Sequence, residues 1–208
     1  MRLALILFFL SSLHLTAQRI LFSAELGDSA ILISDDVKLV SKLIFYVSDV
    51  QLETTEGAII KMASYHLVDF SDSNSLRIEA KDLEKRDIKS IQFQLGIDSV
   101  TNVSGAFGGA LDPTKGMYWS WQSGYINFKI EGRVQDENYI LHLGGYSSPY
   151  KSVQQVILPV VHQSDEFKIV LPLNELFKKV IPQDNTVMSP SVAAVDMSKS
   201  IASFFYLK

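Results

Sequence analysis

The stretch LDPTKGMYWSWQSGYINFKIEG, residues 111–132, decides the fold class of this chain. Its second half alternates. Ile126, Phe128 and Ile130 face one way while Asn127, Lys129 and Glu131 face the other, the two-residue period of a half-buried β-strand. Its first half holds both tryptophans of the chain, two residues apart, with a methionine two residues before the first. On an extended backbone Met117, Trp119 and Trp121 project from one side as a soft, electron-rich stripe. Such a concentration is either the centre of a core or the wall of a site.

Working outward, the same β-rich character recurs at residues 30–33, 42–52, 58–69, 75–80, 90–96, 139–143, 153–160 and 166–171. These segments are rich in β-branched and aromatic residues, and most are bounded by Gly, Asp, Asn or Ser. Strands of this length and spacing predict an all-β fold, an antiparallel β-sandwich. Helix signals are confined to the C-terminal part. NELFKKV at 174–180 is held between Pro172 and Pro182. Ser189-Pro190 reads as an N-cap followed by proline at the first helical position, ahead of Ala193, Met197 and Ile201 at helical spacing. One or two short helices near the C-terminus are therefore expected. Residues 98–116 interrupt the alternation with Gly105, Gly108, Gly109 and Gly116 among polar residues. A long polar excursion inside a small domain is usually functional or wrapped around something, and this one leads directly into the tryptophan pair.

The first residues, Met-Arg followed by LALILFFLSSLHLTA, read as a secretory signal peptide covering 1–17, with cleavage after Ala17. The apolar run is too short for a membrane span, and no membrane insertion is expected after cleavage. Residues 18–208 then form a single domain, periplasmic or secreted. The formal charge is −4, and losing Arg2 makes the balance one unit more acidic. With no basic run, nucleic acid is not an expected partner. An exported chain without cysteine has no disulfide framework, so its stability must come from a hydrophobic core. Enzyme signatures are missing too: there is no GxSxG, no HExxH and no thiol nucleophile, and no acid/base carboxylate pair can be nominated. The chain is expected to act as a binding protein and not an enzyme.

Several segments together resemble the methanobactin-partner (MbnP-like) family of copper-binding proteins, which are exported bacterial β-proteins. They are KLIFYVSDVQL at 42–52, YHLVDF at 65–70, IQFQLGID at 91–98, the 111–132 stretch, LHLGG at 141–145 and VMSPSVAAVDMSKSIASFF at 187–205. The WSWQSGY core with GID upstream and HLGG downstream is the specific part. The resemblance implies a copper-handling role, with a metal ion as ligand and a haem peroxidase-like protein as partner. It also implies copper held by histidine together with a tryptophan oxidised to kynurenine, whose ring opening yields an aromatic amine donor. Carried onto this chain, Trp119 or Trp121 is the residue modified and His142 the imidazole ligand. The chain departs from the two-histidine pattern of better-known relatives. After leader removal only His66, His142 and His162 remain, none within two residues of a tryptophan.

Each of these residues also has a plain structural reading. His142 lies in a strand beside Leu141 and Leu143 and is either a ligand or a hydrogen-bonded strand residue. His66 could approach from a neighbouring strand, although an ordinary half-buried strand position is the favoured reading. His162, at a polar turn, reads as solvated. Met117 is a thioether that suits Cu(I), and an indole face attracts cations, yet core packing is the favoured reading for the methionine. Asp98, Asn102 and Asp112 are hard oxygen donors that either bind calcium or cap turns, with turn-capping favoured. The expected function is copper binding, as Cu(I), in handling or uptake. The alternative is a non-metal module whose Trp/Tyr platform receives a glycan, peptide or protein.

Overall fold

A computed structural model describes residues 18–27, 29–30, 39–79, 85–121, 124–134, 137–182 and 184–208. The leader assigned to 1–17 lies outside the described residues, as does most of the strand expected at 30–33. The strands in chain order are β1 (Arg19–Leu26), β2 (Ser29–Ala30), β3 (Lys42–Thr54), β4 (Ile59–Asp69), β5 (Arg77–Glu79), β6 (Ile88–Leu95), β7 (Tyr118–Trp119), β8 (Gly124–Val134), β9 (Glu137–Gly144), β10 (Gln154–Pro159), β11 (Glu166–Pro172), β12 (Thr186–Val187) and β13 (Tyr206–Leu207). Among the described residues three α-helices accompany them: α1 (Ser99–Val103), α2 (Leu173–Lys179) and α3 (Val192–Phe204).

Two sheets stack as the alternation predicts. The smaller runs β13-β11-β1-β2, with β5 beside β1. The larger runs β10-β6-β3-β8-β9-β12, with β4 on the far edge of β3 and β7 on β8. Phenylalanines join them: Phe22 of the smaller sheet meets Phe45 and Phe93 of the larger one edge-on at 5.9 and 5.8 Å, and Phe205 closes over both from the C-terminal side. Edge-to-face packing of rings that each bury a large apolar area accounts for the solidity of this interior. Most ladders are antiparallel, as expected. Two are parallel: β1 with β11, from Arg19↔Glu166 to Glu25↔Pro172, and β9 with β12.

The hub of the larger sheet is β3. One edge carries β4 over Ile44–Glu53, while the other carries β8 along residues 42–45 and β6 along 47–54. The sheet therefore forks beside Tyr46. Gly96, at the end of β6, fits the fork because a Cβ there would stand 2.5 Å from the Asn127 side chain of β8. Asn127 fills the gap, accepting from Ile97 N–H at 2.9 Å and donating to Ser152 Oγ at 2.9 Å.

At the C-terminus Ser191, two residues beyond the expected cap, accepts from Ala194 N–H at 3.1 Å and starts α3. Pro190 stays outside the helix, which turns Ala194, Met197 and Ile201 into the main core. Among the described residues no helix is long and apolar enough to cross a membrane.

Candidate functional site on the outer face of the larger sheet

Alternation along β3 sends Leu43, Phe45 and Val47 into the sandwich and Ile44 and Tyr46 to the opposite face. That outer face is covered. The glycine-rich excursion folds over it and builds a second apolar core of Ile44, Tyr46, Ile97, Leu111, Met117, Trp119, Tyr125 and Ile126. Polar side chains stitch the wrap to the sheet. Asp98 caps α1, accepting from Thr101 N–H, Thr101 Oγ1 and the Tyr65 hydroxyl. Asn102, 3% exposed, donates to the Ile97 and Asp98 carbonyls and accepts from Tyr125 N–H at 2.8 Å. The Tyr46 and Tyr125 hydroxyls reach the Ala110 and Leu111 carbonyls, and burial pushes both phenols up from their ordinary range. Asp112 accepts from Thr114 N–H and Oγ1. Asp98 and Asp112 are thus cap residues with their donors in place, whereas Asn102, expected at a turn, lies within α1 and pins that helix to β8 through Tyr125.

The tryptophans divide the work of the WSW segment. Trp119 is 5% exposed and lies on Gly144 of β9, where an added Cβ would fall 2.6 Å from the ring atom Cζ3 and 2.7 Å from the Tyr125 carbonyl oxygen. Glycine is required there by close approach, independently of backbone angle. Trp121 is 65% exposed, yet its ring centroid is 5.6 Å from that of Trp119, tilted by 43°. The expected common face of Met117, Trp119 and Trp121 holds for the first two only. Strand β7 ends at Trp119, and the turn at Ser120–Trp121 carries the second indole outward.

His142 projects from β9 on the same face as Gly144, two positions earlier, or roughly 7 Å along the strand. Cross-strand register sets Ile44, Lys129 and His142 in one row, with Lys42, Glu131 and Ile140 in the next. The His142 Nε2 lies 2.8 Å from Glu131 Oε1, and Lys42 approaches the other carboxylate oxygen at 3.5 Å. Lys129 donates to the Gly116 carbonyl and so ties the wrap to the row beside the histidine. Burial drives the His142 imidazole below its usual range, against the opposing pull of Glu131. For Glu131 burial acts upward, but His142 and the Lys42 and Lys129 ammoniums outweigh it and hold the carboxyl low. At neutral pH this pair is a neutral imidazole donating Nε2–H to a carboxylate, which leaves Nδ1 as the nitrogen with a lone pair.

The remaining expected donors lie elsewhere. His66, paired with Val47, faces the sandwich side of β4; its Nε2 meets the Ser75 carbonyl at 2.6 Å, and burial pushes its pKa down. It stands three strand spacings from β9, about 14 Å, on the opposite face of the sheet. Met117 is fully enclosed in the second core. His162 is exposed in a turn. Among the described residues no group of three or more His, Asp or Glu side chains gathers as a ready metal cluster. The structure thus packs Trp121 on Trp119 and seats Trp119 on Gly144, two positions along β9 from His142, whose imidazole turns to Glu131; Glu131 and Gly144 are residues that the sequence reading passed over. Glu131 was visible as an outward-facing strand position, as was His142, but only the register Lys129↔His142 brings them into contact.

The architecture is that of a two-sheet β-sandwich with an aromatic wrap and a carboxylate-held histidine on one outer face. The family model described as MbnP matches residues 16–193, and the chain belongs to the MbnP family. Among solved structures, MbnP from Methylosinus trichosporium is similar in fold, with a TM-score of 0.51 over 85% of this chain and 81% of that one, at 14% sequence identity. No curated protein matches the sequence.

Proposed function

We propose that this family member is exported after cleavage behind Ala17 and binds copper, as Cu(I), in a periplasmic or extracellular handling role without catalysis. The observation that carries the reading is the shared outer face of β9, where the Glu131-held imidazole of His142 stands two positions from the seat of Trp119. Metal-binding histidines characteristically donate their second ring N–H to a carboxylate, which fixes the ring and raises its donor strength. Imidazole suits copper, and neutral His142 beside ionised Glu131 is already in the protonation state that ligation needs. A second nitrogen would come from a kynurenine on the WSW segment. Trp119 is the indole seated on the strand that carries the imidazole, and exposed Trp121 is the one a haem peroxidase-like partner would meet first. Met117 and His66, enclosed or on the opposite face, stand outside this site, and calcium has no part in it.

Titration of the purified mature protein with Cu(I) against a competing chelator tests the proposal. One equivalent bound by the parent and none by His142→Ala is the expected result. Binding unaffected by that substitution moves the site elsewhere, and absence of binding by the parent ends the copper reading. Native protein carrying kynurenine should be about 4 Da heavier in the peptide that contains Trp119 and Trp121.

A second reading has one specific observation in its favour, the 65% exposure of Trp121 against a buried partner ring. An exposed, rigidly backed indole is a platform for a glycan, peptide or protein. Quenching of Trp121 emission by such a ligand in metal-free protein would favour the platform over the copper site.

A further inference from the structure

Strand β3 changes step at YVSDV, residues 46–50. Val47 and Val50 both enter the main core, so two residues lie between them where strict alternation leaves one. The neighbouring strand β6 carries the same step: Ser48 faces Gln94 and Gln51 faces Gln92, which leaves Phe93 alone opposite Asp49 and Val50. Such a β-bulge re-aims one side chain, here that of Asp49. Its φ is 49°, and among the described residues it is the one non-glycine with a positive φ. Alternation would have sent this carboxylate inward. The bulge sets it outside, exposed, beside Ser48.

A hollow of about 460 Å³ opens there between the bulge and β4, within the ordinary size range of small-molecule sites. Tyr65 and Asp98 close one side and are committed to each other and to Thr101. The remaining polar groups are not committed. Among the described residues no ion pair reaches Lys61, and the Gln94 amide and Ser64 hydroxyl have no hydrogen-bond partner. Asp49 accepts one bond, from Gln51 Nε2 to Oδ2 at 3.0 Å, and keeps Oδ1 open. Lys61 is the cross-strand partner of Gln51, so Asp49 is its diagonal neighbour, roughly 7–8 Å away along the sheet.

We propose that this hollow binds a small zwitterion, with its ammonium on Asp49 and its carboxylate on Lys61. Lys61 opposes a lone cation, and the carboxylates of Asp49 and Asp98 oppose a lone anion. A ligand carrying both charges is opposed by neither, and each end gains a charge-assisted hydrogen bond. The diagonal spacing suits charges several bonds apart, as in a dipeptide, better than those of a single α-amino acid. The free Gln94 amide and Ser64 hydroxyl then have a peptide group to bond between the two ends. This site is independent of copper. Ser48 stands four positions along β3 from Ile44, the β3 member of the His142 row, roughly 13 Å away.

Calorimetric titration of the metal-free full chain with diglycine tests the proposal. One diglycine per chain is the expected result, weakened about tenfold or more by Asp49→Asn and by Lys61→Met. Asparagine tolerates the same backbone conformation and methionine keeps the lysine stem, so both variants should melt within about 2 °C of the parent. N-Acetyldiglycine lacks the ammonium and diglycine amide lacks the carboxylate, and each should bind the parent about tenfold more weakly. Asp49→Asn should weaken the acetylated probe no further, and Lys61→Met the amidated one no further. No heat at millimolar diglycine, equal binding of the end-blocked probes, or diglycine binding untouched by either substitution overturns the assignment.

Discussion

Replacing Gly144 with alanine tests the seat of Trp119 directly. The added methyl would lie 2.6 Å from Cζ3 and 2.9 Å from the neighbouring ring atom, against ordinary carbon contacts of roughly 3.5–4.0 Å. The indole must retreat by about 1 Å. Strand β9 cannot yield instead, because the Tyr125 carbonyl oxygen stands 2.7 Å from the same methyl. If the ring shifts within the second core, overpacking should cost about 1–3 kcal/mol. If it is expelled, the loss approaches that of deleting a buried aromatic, about 3–5 kcal/mol. For a domain of this size each kcal/mol lowers Tm by roughly 2–4 °C, so a fall between about 2 and 20 °C is expected. The assay is urea unfolding followed by tryptophan emission in a Trp121→Phe background, where Trp119 is the single reporter. Expulsion should also shift the native emission to longer wavelength. A midpoint equal to that of the background, with emission unmoved, would refute the packing of Trp119 on Gly144 and with it the seating of the indole on the strand that carries His142.

Three other perturbations probe the same face. Glu131→Gln keeps an acceptor for His142 but removes its charge, and should weaken copper binding about tenfold in the chelator competition while leaving the stoichiometry intact. Asn102→Ala deletes three buried hydrogen bonds and strands the Tyr125 N–H, so a loss of about 3 kcal/mol and faster proteolytic nicking near Ser104–Ala110 are expected by denaturation and limited digestion. Burial pushes both His66 and His142 below their unfolded value, so the unfolded chain binds protons first. Their contribution to stability is complete above about pH 6.5 and is lost as pH falls toward the folded-state values, so urea midpoints should decline between pH 7.5 and 5 and decline less in His142→Gln.

Strands that are polar on one face were legible in the sequence. Residues 125–131 and 139–143 alternate as written because the sandwich core lies beneath and the thinner second core covers only part of the other side. β1 was passed over. Enclosed between β11 on one edge and β5 and β2 on the other, RILFSAEL is buried from Phe22 through Glu25. Even Glu25 is inside, held by Lys168 and Lys208, yet the period of two is present, Ile20, Phe22 and Ala24 alternating with Arg19, Ser23 and Glu25 and broken only at Leu21. The two-residue strands β12 and β13 leave no pattern at all. Within the site, the outward face of His142 followed from its neighbours Leu141 and Leu143, whereas its partner Glu131 depends on hairpin register. The separation of Trp119 from Trp121 depends on where β7 stops, and local propensity does not set that point. Asp98 and Asp112 cap turns as their residue type suggests, but Asn102 lies within α1, and its role as a clamp on Tyr125 spans 23 residues and needed the fold.

The forked strand β3 has a consequence for motion. Phe45 and Tyr46 are adjacent in the chain but belong to different interiors, one shared by two full sheets and the other roofed by a single wrapped segment. Contacts on the Tyr46 side can therefore open while those on the Phe45 side persist, since local opening follows the weaker cooperative unit. Amide exchange should be slowest at Phe45, Phe93 and Phe128 and markedly faster at Met117 and Tyr118. Such an opening would uncover Trp119 without unfolding the protein, so that even the enclosed indole has a reversible route to a visiting oxidant or metal.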